Sequence, residues 1–122
     1  MRAVTFNAVQ AFNANKKFKQ SNTEVTISPD EHGVATCLWL HGNMIAHKYT
    51  NIEGLSYLSI SACGWLTPTT KERLNGLDGV SIYQRKGVWY LNGKEWGGLR
   101  VDLEGWNEGR YAEGYATEGL YI

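Results

Sequence analysis

Val4, Ala8, Val9, Ala11 and Phe12 recur at helical spacing near the start of the chain and predict a helix over residues 4–14. Thr5 or Asn7 is the expected cap. Lys16, Lys17 and Lys19 follow the C-terminal end, where cations suit the helix dipole. The period then drops to two. Residues 24–28 alternate, with Val25 and Ile27 on one side, and Pro29-Asp30-Glu31-His32-Gly33 reads as a turn cluster. Residues 34–40 carry Val34, Thr36, Leu38 and Leu40 on one face and Ala35, Cys37 and Trp39 on the other. This pattern predicts a central strand covered on both sides. His41-Gly42-Asn43 makes a tight turn, with Gly42 and Asn43 tolerant of positive φ, into a returning strand at 44–49. A further strand at 55–62 sets Leu58 and Ile60 opposite Tyr57 and Ser59.

A second helix is predicted over 67–75. Thr67 caps it, Pro68 occupies the first turn, Thr69 with Glu72 offers an overlapping capping box, and Gly76 stops it. It carries little apolar surface beyond Leu74, so it depends on packing. Residues 80–84 and 88–91 form a hairpin around Arg85-Lys86-Gly87, and Asn92-Gly93 turns the chain into 94–96. Short loops between strands require antiparallel pairing. The expected fold is therefore α+β, a mainly antiparallel sheet of about five to seven strands with two short helices. The expected core is Val9, Phe12, Val25, Ile27, Leu38, Leu40, Ile45, Leu58, Ile60, Leu74, Ile82 and Tyr90.

The chain has 122 residues, which suits one domain able to bury a core without staples. Five Trp, seven Tyr and three Phe are more aromatics than a core of this size hides. Those left outside either pave strand faces or serve a binding patch. Formal net charge is zero, with a basic head (Arg2, Lys16, Lys17, Lys19) and an acidic tail (Asp102, Glu104, Glu108, Glu113, Glu118). Cys37 and Cys63 read as reduced, buried small residues. Neither a signal peptide nor a membrane-spanning run is expected, and the predicted location is the cytoplasm.

From Gly97-Gly98 onward the composition shifts, and a unit of Glu, Gly and an aromatic recurs up to Tyr121. The expected organisation is one α+β domain over residues 1–100 with a Gly/Tyr-rich C-terminal arm at 101–122. Trp106, Tyr111, Tyr115 and Tyr121, with Glu108 and Glu113, are its candidate partner contacts, and Lys71 and Arg73 on the second helix are added to them. The arm either engages a partner or covers a sheet edge.

Signatures for chemistry are sparse. Cys37, His41, His47 and Cys63 lack the paired spacing of a closed zinc site. Ser59, Ser61 and Cys63 share a strand without a nucleophile elbow. The glycines of 105–119 do not stand between a strand and a helix, so no phosphate cradle is expected. No cofactor, metal or catalytic residue is expected. Lys16, Lys17, Lys19, Lys71, Arg73, Arg85 and Lys86 provide material for a nucleic-acid patch, against a charge balance that lacks a basic excess.

Several stretches resemble a group of small proteins encoded by tailed bacteriophages. They are residues 17–25, residues 40–46 (Leu-His-Gly-Asn-Met-Ile-Ala), residues 64–76 and residues 88–96. The resemblance covers residues 12–97 and implies a phage origin without implying a chemistry. The expected function is a non-enzymatic binding protein that modulates or inhibits a host protein or ribonucleoprotein complex, such as an anti-defence factor resembling the anti-CRISPR proteins. The alternative is a nucleic-acid-binding accessory protein. A homodimer is compatible with either, and no membrane partner is expected.

Overall fold

The computed structural model describes residues 1–103. Helix α1 (Ala3–Asn13) leads into β1 (Phe18–Gln20), β2 (Thr23–Asp30), β3 (Gly33–Leu40), β4 (Asn43–Asn51) and β5 (Ser56–Ile60). Helix α2 (Pro68–Asn75) follows, then β6 (Ile82–Arg85), β7 (Val88–Leu91), β8 (Lys94–Glu95) and β9 (Val101–Asp102). The main sheet runs β1-β2-β3-β4-β5-β9 and the smaller one β6-β7-β8, antiparallel at every pairing. The fold is the α+β architecture that the turn spacing predicts.

Helix α1 starts without a side-chain cap, because Thr5 is buried in its first turn and bonds across to α2. Its end is a Schellman motif. Asn15 takes φ 54, its N–H reaches Phe12 O at 3.3 Å, and the Lys16 N–H reaches Ala11 O at 2.9 Å. The helix-terminal cation is not one of the three lysines that follow it. Lys48, from β4, donates its Nζ to Phe12 O at 2.8 Å and lies 4.8 Å from the centre of the Phe12 ring. Burial pulls the Lys48 ammonium below the ordinary lysine range.

Two hairpin turns differ in detail from expectation. Pro29 and Asp30 stay in β2, paired with Val34 and Gly33, so only Glu31 and His32 turn. Asp30 Oδ1 accepts both the His32 and Gly33 N–H groups at 2.8 Å. Between β3 and β4 the positive φ falls on His41 and Gly42 (φ 51 and 78), while Asn43 already opens β4. Two adjacent positive-φ residues give the turn whose twist matches the flanking strands. Lys86-Gly87 and Asn92-Gly93 repeat that geometry.

The core lies between the main sheet and the helices. On β3, Thr36, Leu38 and Leu40 are buried, whereas Ala35, Cys37 and Trp39 are only half-buried. Among the described residues, then, the helices cover one face of this central strand and the other stays partly open. A register shift opposite Leu38 and Trp39 leaves Ile45 as an extra residue in β4, and this bulge lets Ile45 and Ala46 both be buried. Val9, Ile27 and Leu58 are half-buried rather than core. Tyr90 is reversed: Ile82 pairs with Leu91 and both point inward. Period-two alternation then sends Trp89 inward and Tyr90 outward.

Thr67 caps α2 as predicted, accepting the Thr70 N–H at 3.2 Å. Glu72 does not close a second box with Thr69; its carboxylate turns to Thr5 and Arg2. Gly76 is not a left-handed stop, since its φ of −71° is ordinary helix. It permits close approach of the helices instead, as a Cβ there would stand 2.6 Å from Val9 Cγ2.

The main sheet continues past Arg100. Gly98 accepts the Ala62 N–H at 2.9 Å, and a Cβ on it would stand 2.9 Å from that of Ala62. Val101 and Asp102 pair with Ile60 and Ser59, and Leu103 is buried. The first three residues assigned by sequence to the arm are thus part of the sheet and core, and Gly98, the second of the paired glycines, is an internal packing point.

Candidate binding groove

The β3–β4 turn and the start of α2 leave a gap between them. The loop between β5 and α2 forms its third side. This loop is set by Cys63 and Gly64 at positive φ (53 and 83). The Cys63 N–H donates to Ser61 Oγ at 2.9 Å, its thiol donates to Met44 O at 3.2 Å, and the Trp65 N–H returns to Ala62 O at 2.9 Å. The consequence is an outward Trp65, 59 % exposed, beside Leu66 at 47 %.

The resulting groove has a volume of about 450 Å³. Leu40, Ile45 and Ala62 form its floor, and Trp65 forms one wall. The α2 rim supplies the hydroxyls of Thr67 and Thr70, which bond to each other at 3.0 Å. The opposite rim is His41 and Asn43, with His41 Nε2 hydrogen-bonded to the Asn22 side-chain amide at 3.2 Å. An apolar bowl with hydrogen-bonding groups at its edge suits an apolar or aromatic side chain, whose attached backbone can reach the rim.

The residues proposed from sequence fall elsewhere. Trp106, Glu108, Tyr111, Glu113, Tyr115 and Tyr121 lie outside the described residues. Lys71 is half-buried, with its Nζ 5.4 Å over the Trp89 ring. Arg73 is not a solvent-facing helix charge: it is 1 % exposed. Its Nε donates to Thr23 Oγ1 at 3.1 Å, and its Nη1 donates to Glu72 Oε1 at 2.7 Å and to Thr5 Oγ1. Arg2 completes the network, its Nε 3.0 Å from Glu72 Oε1. The signal that Arg73 faces inward is its spacing with Thr70 and Leu74, the other buried residues of α2. Arg73 is thus withdrawn from the surface cations, which leaves the lysines after α1, Lys71 on α2 and Arg85-Lys86 at the β6–β7 turn.

The Thr5 hydroxyl, foremost, and the charge of Arg2 hold the Glu72 carboxyl below the ordinary glutamate range. A depressed folded-state value stabilises the fold above the unfolded value and stops doing so as pH falls through the folded one. Urea midpoints should therefore fall on acidification below about pH 4.5. Glu72→Gln should flatten that limb, and an unchanged acid limb would show that Glu72 does not contribute.

One row of polar residues crosses the partly open face of the main sheet: Thr26, Cys37, His47, Ser59 and Asp102 are successive cross-strand partners. Burial raises the Cys37 thiol against the opposing pull of Thr26 and Arg100, and burial followed by the Arg100 charge lowers His47. Both shifts favour the uncharged forms, the reverse of what the thiolate and imidazolium of an activated nucleophile need. Cys63 and His41 lie away from this row, in the loop before α2 and the β3–β4 turn. No three His, Cys, Asp or Glu side chains among the described residues come together to hold a metal ion. No helix among them is long and apolar enough to cross a membrane.

Sheets, helices and groove define a small α+β protein with an open apolar groove. The chain belongs to the family described as Kyanoviridae Gp96 protein, whose model matches residues 1–118. This is a family of tailed cyanophages with no function attached to it. The match runs beyond residue 97, where the motif resemblance ended, and takes in most of the Gly/Tyr-rich segment. Neither the curated proteins nor the solved structures contain a match.

Proposed function

We propose that this chain is a non-enzymatic binding protein by which a tailed cyanophage engages a host protein complex, inhibiting or redirecting it. The observation that carries this reading is the apolar groove beside Trp65, where, among the described residues, a large exposed aromatic side chain stands next to an open concavity. Exposed Trp flanking a concavity is the composition of an interaction hot spot. The occupant is an apolar or aromatic side chain of the host protein, with its backbone polar groups met by His41 and the threonines at the rim. Trp106, Tyr111, Tyr115 and Tyr121 add contact area at low entropy cost, and Glu108 and Glu113 steer approach to a basic partner surface. A defence ribonucleoprotein is one host complex of that kind.

The test is capture from cyanobacterial host lysate on the tagged full-length chain, repeated with Trp65→Ala and with a chain ending at Leu103. One and the same host protein should be retained in independent preparations. Its retention should fall about tenfold or more with Trp65→Ala, the scale of a hot-spot truncation. Retention indifferent to both variants, or no host protein retained, would overturn the proposal. The chain ends at Leu103 in this test because a cut at Arg100 removes β9 and the buried Val101 and Leu103.

A further inference from the structure

We infer that the outer face of the β6-β7-β8 sheet is a second binding site, for single-stranded nucleic acid. Cross-strand register puts Tyr83, Tyr90 and Glu95 in one row. The two tyrosine rings stack with centroids 5.2 Å apart and an interplanar angle of 12°. Arg85, two residues along β6 and so on the same face, holds its guanidinium 5.8 Å over the Tyr83 ring. Lys86 follows at the exposed tip of the turn. Tyr83 itself is 39 % exposed, although it is large and largely apolar.

Two aromatic planes ending in a planar cation form a ladder that stops at solvent. The ligand that extends such a ladder is a nucleobase, which stacks on tyrosine and on guanidinium alike. Nucleic acid also answers the charge pattern, because each base brings a phosphate and the two cations stand together at the β6–β7 tip. Glu95, at the other end of the row, repels a backbone there and so sets which side the phosphates take. A duplex hides its base faces within its own stack, so the site selects unpaired strands. An apolar protein partner would leave Arg85 and Lys86 without a counter-charge. This site shares no residue with the groove, and its test is independent of the host-protein reading.

The experiment is an anisotropy titration of a labelled oligothymidine with the full-length chain, at several salt concentrations. Binding should weaken steadily with salt. Tyr83→Ala should weaken it roughly 5- to 100-fold. Arg85→Glu with Lys86→Glu should weaken it further and reduce the salt slope by about 1.4, roughly 0.7 for each lost phosphate contact. All three substitutions lie on exposed positions, and circular dichroism confirms the fold of each variant before titration. Absence of binding, binding unchanged by either variant, or tighter binding to a duplex of the same length would each overturn the proposal.

Discussion

Replacing Arg73 by alanine should destabilise the protein by about 3–5 kcal/mol. The Arg73 guanidinium joins α2 to α1 through Thr5 and to β2 through Thr23, with Glu72 as its counter-ion, and the whole side chain is interior. Alanine removes hydrogen bonds from a charged donor, each about 1.5–3 kcal/mol, and leaves the volume of a long side chain empty. Thr23 and Thr5 keep other partners, Asn22 and Glu72, so no hydroxyl is stranded and the cost stays within that range. Arg73→Met separates the two contributions. It refills the stem and relieves the desolvation that already lowers the arginine pKa, so it should cost clearly less than alanine. Urea unfolding with an unchanged slope is the measurement. A loss under about 1 kcal/mol for Arg73→Ala would mean that the network is solvated in solution.

Leu38→Ala should cost about 2–5 kcal/mol. Leu38 is 0 % exposed on the central strand β3, with Val25 and Ala46 as its neighbours on either side. Neighbours on both strands limit how far the site can collapse, so most of the cavity persists. Trp39, one position along, faces the partly open side and bonds Thr26 Oγ1 through its indole N–H at 2.8 Å. Thermal unfolding of Leu38→Ala reads the effect directly. A shift no larger than that of a surface substitution would show that the two faces of β3 are exchanged.

Local chemistry made much of this legible in the chain. Thr67 and Pro68 mark the start of α2, because a cap and a fixed φ act within one turn. The turns at residues 41–43, 85–87 and 92–93 mark three hairpins, because positive φ is demanded locally, and together they establish antiparallel pairing and the α+β class. Leu38, Leu40, Ile45, Ile60 and Phe12 were legible as core because alternation on a strand, or a stripe on a helix, assigns a face once one face must be dry.

The tertiary structure decided what depends on residues far apart in the chain. Arg73 reads as a surface charge until Thr5 and Thr23, 68 and 50 positions away, supply its partners. Tyr90 and Trp89 exchange faces because the register with β6 sets the inward parity, and alternation alone does not say which parity is inward. Strand β9, two residues long, carries no pattern of its own and exists because β5 offers an open edge. The groove is likewise invisible to sequence, since its floor is ordinary core and only the outward turn of the loop carrying Trp65 makes it a concavity. Periodicity and caps are near-neighbour effects and can be read along the chain. Burial of a charge, strand register and the shape of a cavity are sums over non-local contacts, and only the folded chain carries them.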